Sequence, residues 1–445
     1  MFEATIIIFG ASGDLATRSL VPALYKLFEK GNLRNFFIFG AAIDQKTSEE
    51  ILNDSKEFIK DFDSEKWHQF SENYKYQKLD FKNFDDYKKL AQEINSRNDL
   101  PKNRLIYCSA GANFFEDITI NSVASGLIER TDSKHPWQKM VFEKPFGFDL
   151  KSAEQIHKTV QDNLDDNQVF RVDHFLGDEL LANVSYIRFT NTIFEAAWNN
   201  KFIESVEVCM EEKLTILDRG RFYDHVGALV DVIQNHVLQM FALTAMERPK
   251  FLTPEEITQA KTEVLKKSKV VDGIFGQYEG YKSEKYIDPN SETNTFALLK
   301  IEVDNDRWKG VPFYLKSGKA LNEKDVAIKI NFKKAECPLL EGCLFSSDSL
   351  EIRLAPEAGF KLNLNAKAPE EKGTESVSMD FMHKSVWPFS PKAYEVILKN
   401  ILIGNRFVSV SFEEIKESWK IIEEAKSKKF PMKIYAKDSS GPSLS

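Results

Sequence analysis

The run Thr5-Ile-Ile-Ile-Phe9, leading straight into Gly10-Ala-Ser-Gly13-Asp-Leu15, constrains the fold more than any other stretch of this chain. A strand that is apolar at every position has no solvent side. Both of its faces must be covered, as in a parallel sheet flanked by helices. Gly10 permits a tight turn at the strand's end, and beyond it Leu20, Ala23, Leu24 and Leu27 recur at helical spacing. The alternation continues, with 36–39 reading as a strand, 87–94 as a helix, and 104–108 and 140–142 as further strands. The expected fold class here is α/β, a doubly wound Rossmann sheet.

A chain of 445 residues is too long for one ordinary core. After a polar stretch at 161–168 the pattern changes. Segments 202–210, 295–303 and 327–332 are β-rich, 350–354 and 360–364 alternate, and 227–246 reads as one long helix packed on the resulting sheet. Closely spaced strands favour antiparallel pairing, so an α+β domain is expected. The division predicted is 1–170 for dinucleotide binding, 171–437 for substrate binding and oligomerisation, and 438–445 as a flexible polar tail. A net charge of -8 argues against nucleic-acid or membrane-surface partners. The four cysteines, Cys108, Cys209, Cys337 and Cys343, have no metal-ligand spacing, so no metal site is expected. Cys337 and Cys343 are near enough in sequence to bridge locally, but free thiols are expected in a chain this large. With no basic leader and no spanning run, a cytoplasmic location is expected.

The Gly10–Gly13 turn is Gly-x-x-Gly, shorter than the full dinucleotide fingerprint. It reads either as an ordinary strand–helix turn or as a phosphate cradle, and its place after the first strand favours the cradle. Gly10, Ser12, Gly13, Asp14 and Leu15 are then the cofactor contacts. The second strand ends in Ile43-Asp44, with no Arg between Arg34 and Arg97. Asp44 either caps the next segment or bonds the adenosine ribose, repelling a 2′-phosphate and so leaning to NAD over NADP.

Ionisable groups concentrate in Arg171-Val-Asp173-His174-Phe-Leu-Gly177-Asp178-Glu179 and in Asp231-Val-Ile-Gln234-Asn235-His236. The second cluster lies in an otherwise apolar helix, so its polar residues need internal partners or a pocket. On an α-helix Asp231, Gln234 and Asn235 share a stripe, and His236 stands about 140° from Asp231. His236 is either a satisfied core histidine or a base. Moving a hydride from an alcohol carbon requires loss of the hydroxyl proton. An imidazole oriented by a carboxylate suits that task, with Asp173 the candidate partner. Glu143-Lys144-Pro145-Phe-Gly147 ends a strand in a turn of the kind that accepts a cis proline. Lys316-Ser-Gly318-Lys319 through Lys324 reads from composition as a solvated, lysine-rich loop.

Taken in order, the chain resembles the glucose-6-phosphate dehydrogenase family. The resemblance is carried by Gly10-Ala-Ser-Gly-Asp-Leu-Ala16, Glu143-Lys-Pro-Phe-Gly147, Arg171-Val-Asp-His-Phe-Leu-Gly177, Asp231-Val-Ile-Gln-Asn-His236 and Lys316-Ser-Gly-Lys-Ala-Leu-Asn-Glu323, with Ala393-Tyr-Glu395 and Trp419 near the end. It implies a Rossmann domain plus a domain on a large, mostly antiparallel sheet, usually assembled as a homodimer or homotetramer. It also implies C1 oxidation of a hexose 6-phosphate to the lactone with NADP or NAD. By resemblance His236 is the base and Asp173 its partner. His174 holds the phosphate, Lys144 bridges cofactor and sugar, and Asp231 binds sugar hydroxyls. Glu212 and Lys319 are further substrate contacts, and Lys324 is a candidate substrate-binding cation beside them.

Some positions depart from the family pattern. Basic residues expected after Asp-Leu-Ala are Thr17 and Ser19, leaving Arg18, and Ile43 stands where NADP-using members carry Arg. A Tyr and a Lys expected near the phosphate are Phe175 and Asp178. Two alternatives follow: the same C1 chemistry on a non-phosphorylated or amino sugar, and a non-catalytic nucleotide or sugar-phosphate sensor.

Overall fold

The all-apolar run lies in β1 (Phe2–Phe9), an interior strand of a parallel sheet, with Ile6, Ile7 and Ile8 all buried. The computed structural model describes residues 2–177, 179–335, 346–367 and 374–444. Asp178, Cys337 and Cys343 lie outside the described residues, whereas Cys108 and Cys209 are buried free thiols. Among the described residues β1 is joined by β2 (Leu33–Ala42), β3 (Tyr74–Lys78), β4 (Arg104–Cys108), β5 (Gln138–Phe142) and β6 (Val169–Arg171). Their order is β3-β2-β1-β4-β5-β6, every pair parallel. The winding reverses between β2 and β4, on either side of β1, which opens a crevice at the strands' carboxyl ends.

The chain forms two units, 1–178 with 391–412, and 179–390 with 413–445. The expected cut after residue 170 therefore differs from the observed division in two ways. Residues 171–178 stay with the first unit, and a distant segment returns to it. The reason lies in β6, whose continuation is tied to that return. The Arg171 N–H donates to Ser409 Oγ at 3.1 Å, and the Val410 N–H donates to the Arg171 carbonyl at 2.8 Å. The helix Ala393–Ile403 packs on residues 174–177. Its C-terminal carbonyls, at Ile401 and Leu402, accept from the buried Lys139 ammonium at 2.6 and 3.1 Å, a cation at the negative end of the helix dipole.

The second unit is built on β7 (Ile203–Glu211), β8 (Ser268–Tyr278), β9 (Phe296–Val303), β10 (Phe313–Gly318), β11 (Asp325–Phe332), β12 (Ser349–Ala355), β13 (Gly359–Lys367), β14 (Thr374–Met382) and β15 (Met432–Tyr435). Among the described residues these form one sheet in the order β14-β13-β12-β11-β7-β10-β9-β8-β15. The β7–β10 and β8–β15 pairs are parallel and the rest antiparallel. The expected α+β domain with a mostly antiparallel sheet is what is found.

The segment Leu217–Ala245 is long and apolar enough to cross a membrane, but its apolar window is wholly buried within the protein. It is not the single helix expected at 227–246. Gly220–Ala228 is broken at Gly227, Leu229–Val237 is a π-helix, and Leu238–Ala245 is α-helical. Gly227 has φ 62° and ψ -178°, and a Cβ there would sit 2.7 Å from the Asn294 carbonyl oxygen. Asn294 takes up the helix's free donors, accepting from the Ala228 N–H at 2.9 Å and, through Oδ1, from the Leu229 N–H at 3.0 Å.

The C-terminal stretch also departs from expectation. The Asp438 N–H donates to the Ala320 carbonyl at 2.9 Å, the Asn322 N–H donates to the Ser439 carbonyl at 3.0 Å, and Leu444 packs on the cluster of Ile216, Tyr278 and Phe296. Polar composition suggested fraying, yet two main-chain bonds and one apolar anchor hold it. Truncation after Lys437 should cost about 3 kcal/mol, taking about 1 for each of these three contacts. Thermal unfolding of the truncated chain should show the second unit's midpoint lowered by ~5–10 °C; an unchanged midpoint would show the tail contributes nothing.

Candidate active site

Parallel register brings together the candidate residues of the first unit. Phe9 pairs with Cys108, Cys108 with Phe142, and Phe142 with Arg171, so four strands end on one row. The next residues, Gly10, Ser109, Glu143 and Val172, all emerge at the carboxyl edge. Gly10 has φ +87°, and a Cβ on it would meet the backbone of Ser109 and Ala110 at 2.8 and 2.9 Å. Only glycine allows this close approach beside the crevice. Gly13 and Asp14 are exposed, Ser12 and Leu15 half-buried, and the Gly13 N–H closes the turn on the Gly10 carbonyl at 3.0 Å. The Ser12 hydroxyl donates to the Asp44 carboxylate, and the Tyr76 hydroxyl donates to the Asp44 carbonyl at 2.8 Å. Turn and acidic residue thus meet, as a pyrophosphate and an adjoining ribose require. Lys46 is drawn away to Asp54 at 2.7 Å, and that hydrogen bond raises its pKa.

At the same edge the Lys144–Pro145 bond is cis, in the constrained turn the sequence suggested. Glu143 is buried and accepts from the Tyr107 hydroxyl at 2.6 Å and the Tyr394 hydroxyl at 3.1 Å. Burial pushes its carboxyl up to about 7, partly opposed by those two donors. One register step away, the buried Asp173 accepts the Phe175 N–H on Oδ1 at 3.0 Å. The His174 ring lies 4.9 Å from that of Phe175 and stacks on Tyr394 at 6.2 Å. Tyr394, from the returning helix, therefore links Glu143 to His174.

In the second unit the π-helix changes the geometry expected of its polar cluster. With ~4.4 residues per turn, five residues advance to within about 50° of a full turn, so Asp231 and His236 come to one face. Both are buried. Asp231 Oδ1 accepts from the Arg219 guanidinium at 3.3 Å. Tyr223, also buried, has its phenol pKa raised by burial and by the nearby negative charges of Asp231 and Glu212. Parallel pairing of Gly318 with Glu211 sets Glu212 beside Lys319, and their side chains pair at 2.6 Å. The Lys319 ammonium lies 5.8 Å from the Tyr223 ring, which draws Glu212, Lys319, Tyr223 and Asp231 into one group.

The lysine-rich stretch is not a solvated loop throughout. Residues 316–318 belong to β10, Lys316 pairs with Glu211 at 2.8 Å, and Lys319 is buried. Lys324 is exposed just ahead of β11, with no ion pair among the described residues. Sequence reading passed over Arg219, Tyr223, Tyr107 and Glu143 as site residues. Of these only Glu143, a carboxyl beside Lys144 at the end of an apolar strand, carried a local signal.

Comparison with known proteins covers nearly the whole chain. Residues 7–183 match the family described as Glucose-6-phosphate dehydrogenase, NAD binding domain, and 185–445 that described as Glucose-6-phosphate dehydrogenase, C-terminal domain. The chain is 35% identical over 450 residues to the Glucose-6-phosphate 1-dehydrogenase of Chlamydia muridarum, across 94% of this chain and 88% of that one. It is 32% identical over 446 residues to the Bacillus subtilis protein of the same name, across 95% and 90%. Among solved structures, a glucose-6-phosphate dehydrogenase in complex with its substrate glucose-6-phosphate has a TM-score of 0.89 at 29% identity, covering 99% of this chain and 96% of that one.

The Glu143 carboxyl has a stability consequence. Its folded pKa lies above the ordinary value of 4.5, so the folded state holds the proton more tightly than the unfolded chain does. The stability it contributes is full below about 4.5 and is lost as pH rises to about 7, a decline of about 3 kcal/mol. Glu143→Gln keeps an acceptor for both tyrosines and cannot ionise, so its denaturant midpoint should lack that decline between pH 4.5 and 8. Parallel curves for both proteins would refute the assignment.

Proposed function

This chain belongs to the glucose-6-phosphate dehydrogenase family, and on that footing we propose that it oxidises the C1 hydroxyl of glucose 6-phosphate to the 6-phospho-lactone with NAD(P). The single observation that carries the reading is the shared face of Asp231 and His236. It turns a buried imidazole and a carboxylate able to hold a sugar hydroxyl toward the same side of the helix. The nicotinamide coenzyme, held at the Gly10–Leu15 turn, would supply the acceptor for the C1 hydride. His236 takes the C1 hydroxyl proton as general base. Asp173 is assigned, from the chemistry and the family resemblance, as the carboxylate that orients the imidazole and stabilises its protonated form. Asp231 and Glu212 accept sugar hydroxyls, and Lys319 and Lys324 supply positive charge. His174, backed by Tyr394, holds the phosphate. Lys144 serves coenzyme and sugar together. On the coenzyme side Gly10, Ser12, Gly13, Asp14 and Leu15 cradle the pyrophosphate.

Phe175 supports a second reading, oxidation of a sugar without the phosphate or with an amine in its place. A phenyl ring offers no donor where a Tyr hydroxyl is expected, and the loss of a hydrogen bond to a charged group costs about 1.5–3 kcal/mol. Glucose 6-phosphate, glucose and glucosamine, each assayed with both coenzymes, separate the readings; faster oxidation of an uncharged or amino sugar would displace the first. His236→Asn should lower kcat by about 10³-fold, in the range for loss of a general base. Retained turnover would remove His236 from that role, and no turnover in the unaltered protein with any of the three sugars would leave only a binding function.

For the coenzyme, we propose that NAD serves at least as well as NADP. The Asp44 carboxylate accepts from Ser12 of the Gly10–Gly13 turn, Ile43 is exposed at the position where, by resemblance, NADP-using members carry Arg, and Lys46 is committed to Asp54. A kcat/KM for NADP more than about 10-fold above that for NAD, equivalent to 1.4 kcal/mol, would overturn this. A homo-oligomer is proposed from the outer strand β14 and the turn after it, where Val377, Met379, Val386, Trp387 and Phe389 are all exposed. Light scattering showing a monomer at micromolar concentration would refute it.

A further inference from the structure

Asn235 is buried in the π-helix, one residue before the proposed base. Its Nδ2 donates to the Asp231 carbonyl at 3.1 Å, with a longer contact of 3.5 Å to that of Val230. Its Oδ1 accepts from the His236 N–H at 2.6 Å. The Asp231 carbonyl and the His236 N–H are the two main-chain groups that a five-residue turn would pair. The carboxamide thus spans the wide turn whose two ends carry the sugar-binding carboxylate and the base. Its orientation is set by these partners, because the flipped amide would face N–H with NH2 and carbonyl with oxygen.

We infer that Asn235 is a positioning residue, whose carboxamide holds the π-turn open and so keeps His236 on the face of Asp231. This rests on the reading of His236 as base. If the turn relaxed to α-helical geometry, His236 would swing by roughly 90° about the axis, from about 50° to about 140° away from Asp231. The other end of the segment is held separately, by Asn294 on the Ala228 and Leu229 N–H groups. Loss of the Asn235 bridge should therefore act on the base more than on the helix's entry.

The test uses the full chain with glucose 6-phosphate and saturating coenzyme, at temperatures well below each variant's melting midpoint. Asn235→Ala should lower kcat by about 100-fold, the scale of a misplacement near 1 Å, while KM for the sugar changes less than about 3-fold. Asn235→Asp is the same shape, and its neutral acid form offers the same donor and acceptor. Its kcat relative to the unaltered protein should be highest at low pH and fall as the introduced carboxyl ionises. That pH-dependent rescue is a readout that loss of packing alone would not produce. If Asn235→Ala does not fold, the pH dependence of the Asn235→Asp ratio carries the test alone. Wild-type kcat in Asn235→Ala, or a ratio for Asn235→Asp that is flat with pH, overturns the inference. His236→Asn distinguishes the premise: if it keeps full turnover the base assignment itself fails, whereas its inactivity beside unaffected Asn235 variants removes only the positioning role.

Discussion

Parallel pairing of β1 on both sides is the constraint from which the first unit follows. Strands that run the same way all end at the same edge, and each needs a crossover to return. Once Phe9, Cys108, Phe142 and Arg171 share a row, the residues after them are delivered together whatever their separation in the chain. The chemistry then needs only suitable residues just beyond that row. Gly10 lets backbone approach backbone, Glu143 and Lys144 supply a buried carboxyl beside a cation, and Asp173 with His174 follows one short step after β6.

The second unit solves a different problem, how to keep polar groups inside an apolar helix. Each buried donor or acceptor without a partner costs roughly 1–3 kcal/mol. Here Asp231 has Arg219 and Asn235 bonds main-chain groups of its own helix, while outside the helix the buried Lys319 has Glu212. The π-helix is part of the same solution, because widening the helix frees main-chain groups for side chains to use. Burial that would otherwise only destabilise instead gives the groups of the site a defined direction.

Local signals were legible where a structural cause is local. The apolar strand, its Gly10 turn, the alternating strands and the cis-prone Lys144–Pro145 step each depend on a few adjacent residues, and each is found. What escaped depends on distant partners. The return of 391–412 to the first unit is decided by bonds such as Arg171 to Ser409, with nothing in either segment to announce it. Lys319 looks solvated among other lysines until β7 and β10 pair and bring Glu212 to it. The π-turn is hidden for another reason: its residues fit a 3.6-residue period as well as any, and the wider form shows only in the folded backbone of Leu229–Val237. The tail reads as polar, and Leu444 is too isolated in sequence to suggest an anchor.

The discontinuity of the first unit has a consequence for how this protein is made. When residue 178 leaves the ribosome the whole parallel sheet has been synthesised, but the helix that packs on residues 174–177 and the Tyr394 partner of Glu143 have not. The returning segment that carries them, 391–412, ends 234 residues downstream (412 minus 178), which at bacterial and eukaryotic elongation rates of ~5–20 residues per second is roughly 10–50 s of translation. The nucleotide-binding half therefore cannot mature ahead of the rest, as an N-terminal domain ordinarily does. It stays unfinished, with Glu143 and the end of β6 uncovered, until the second unit has almost emerged, so the two units reach completion at nearly the same moment of synthesis.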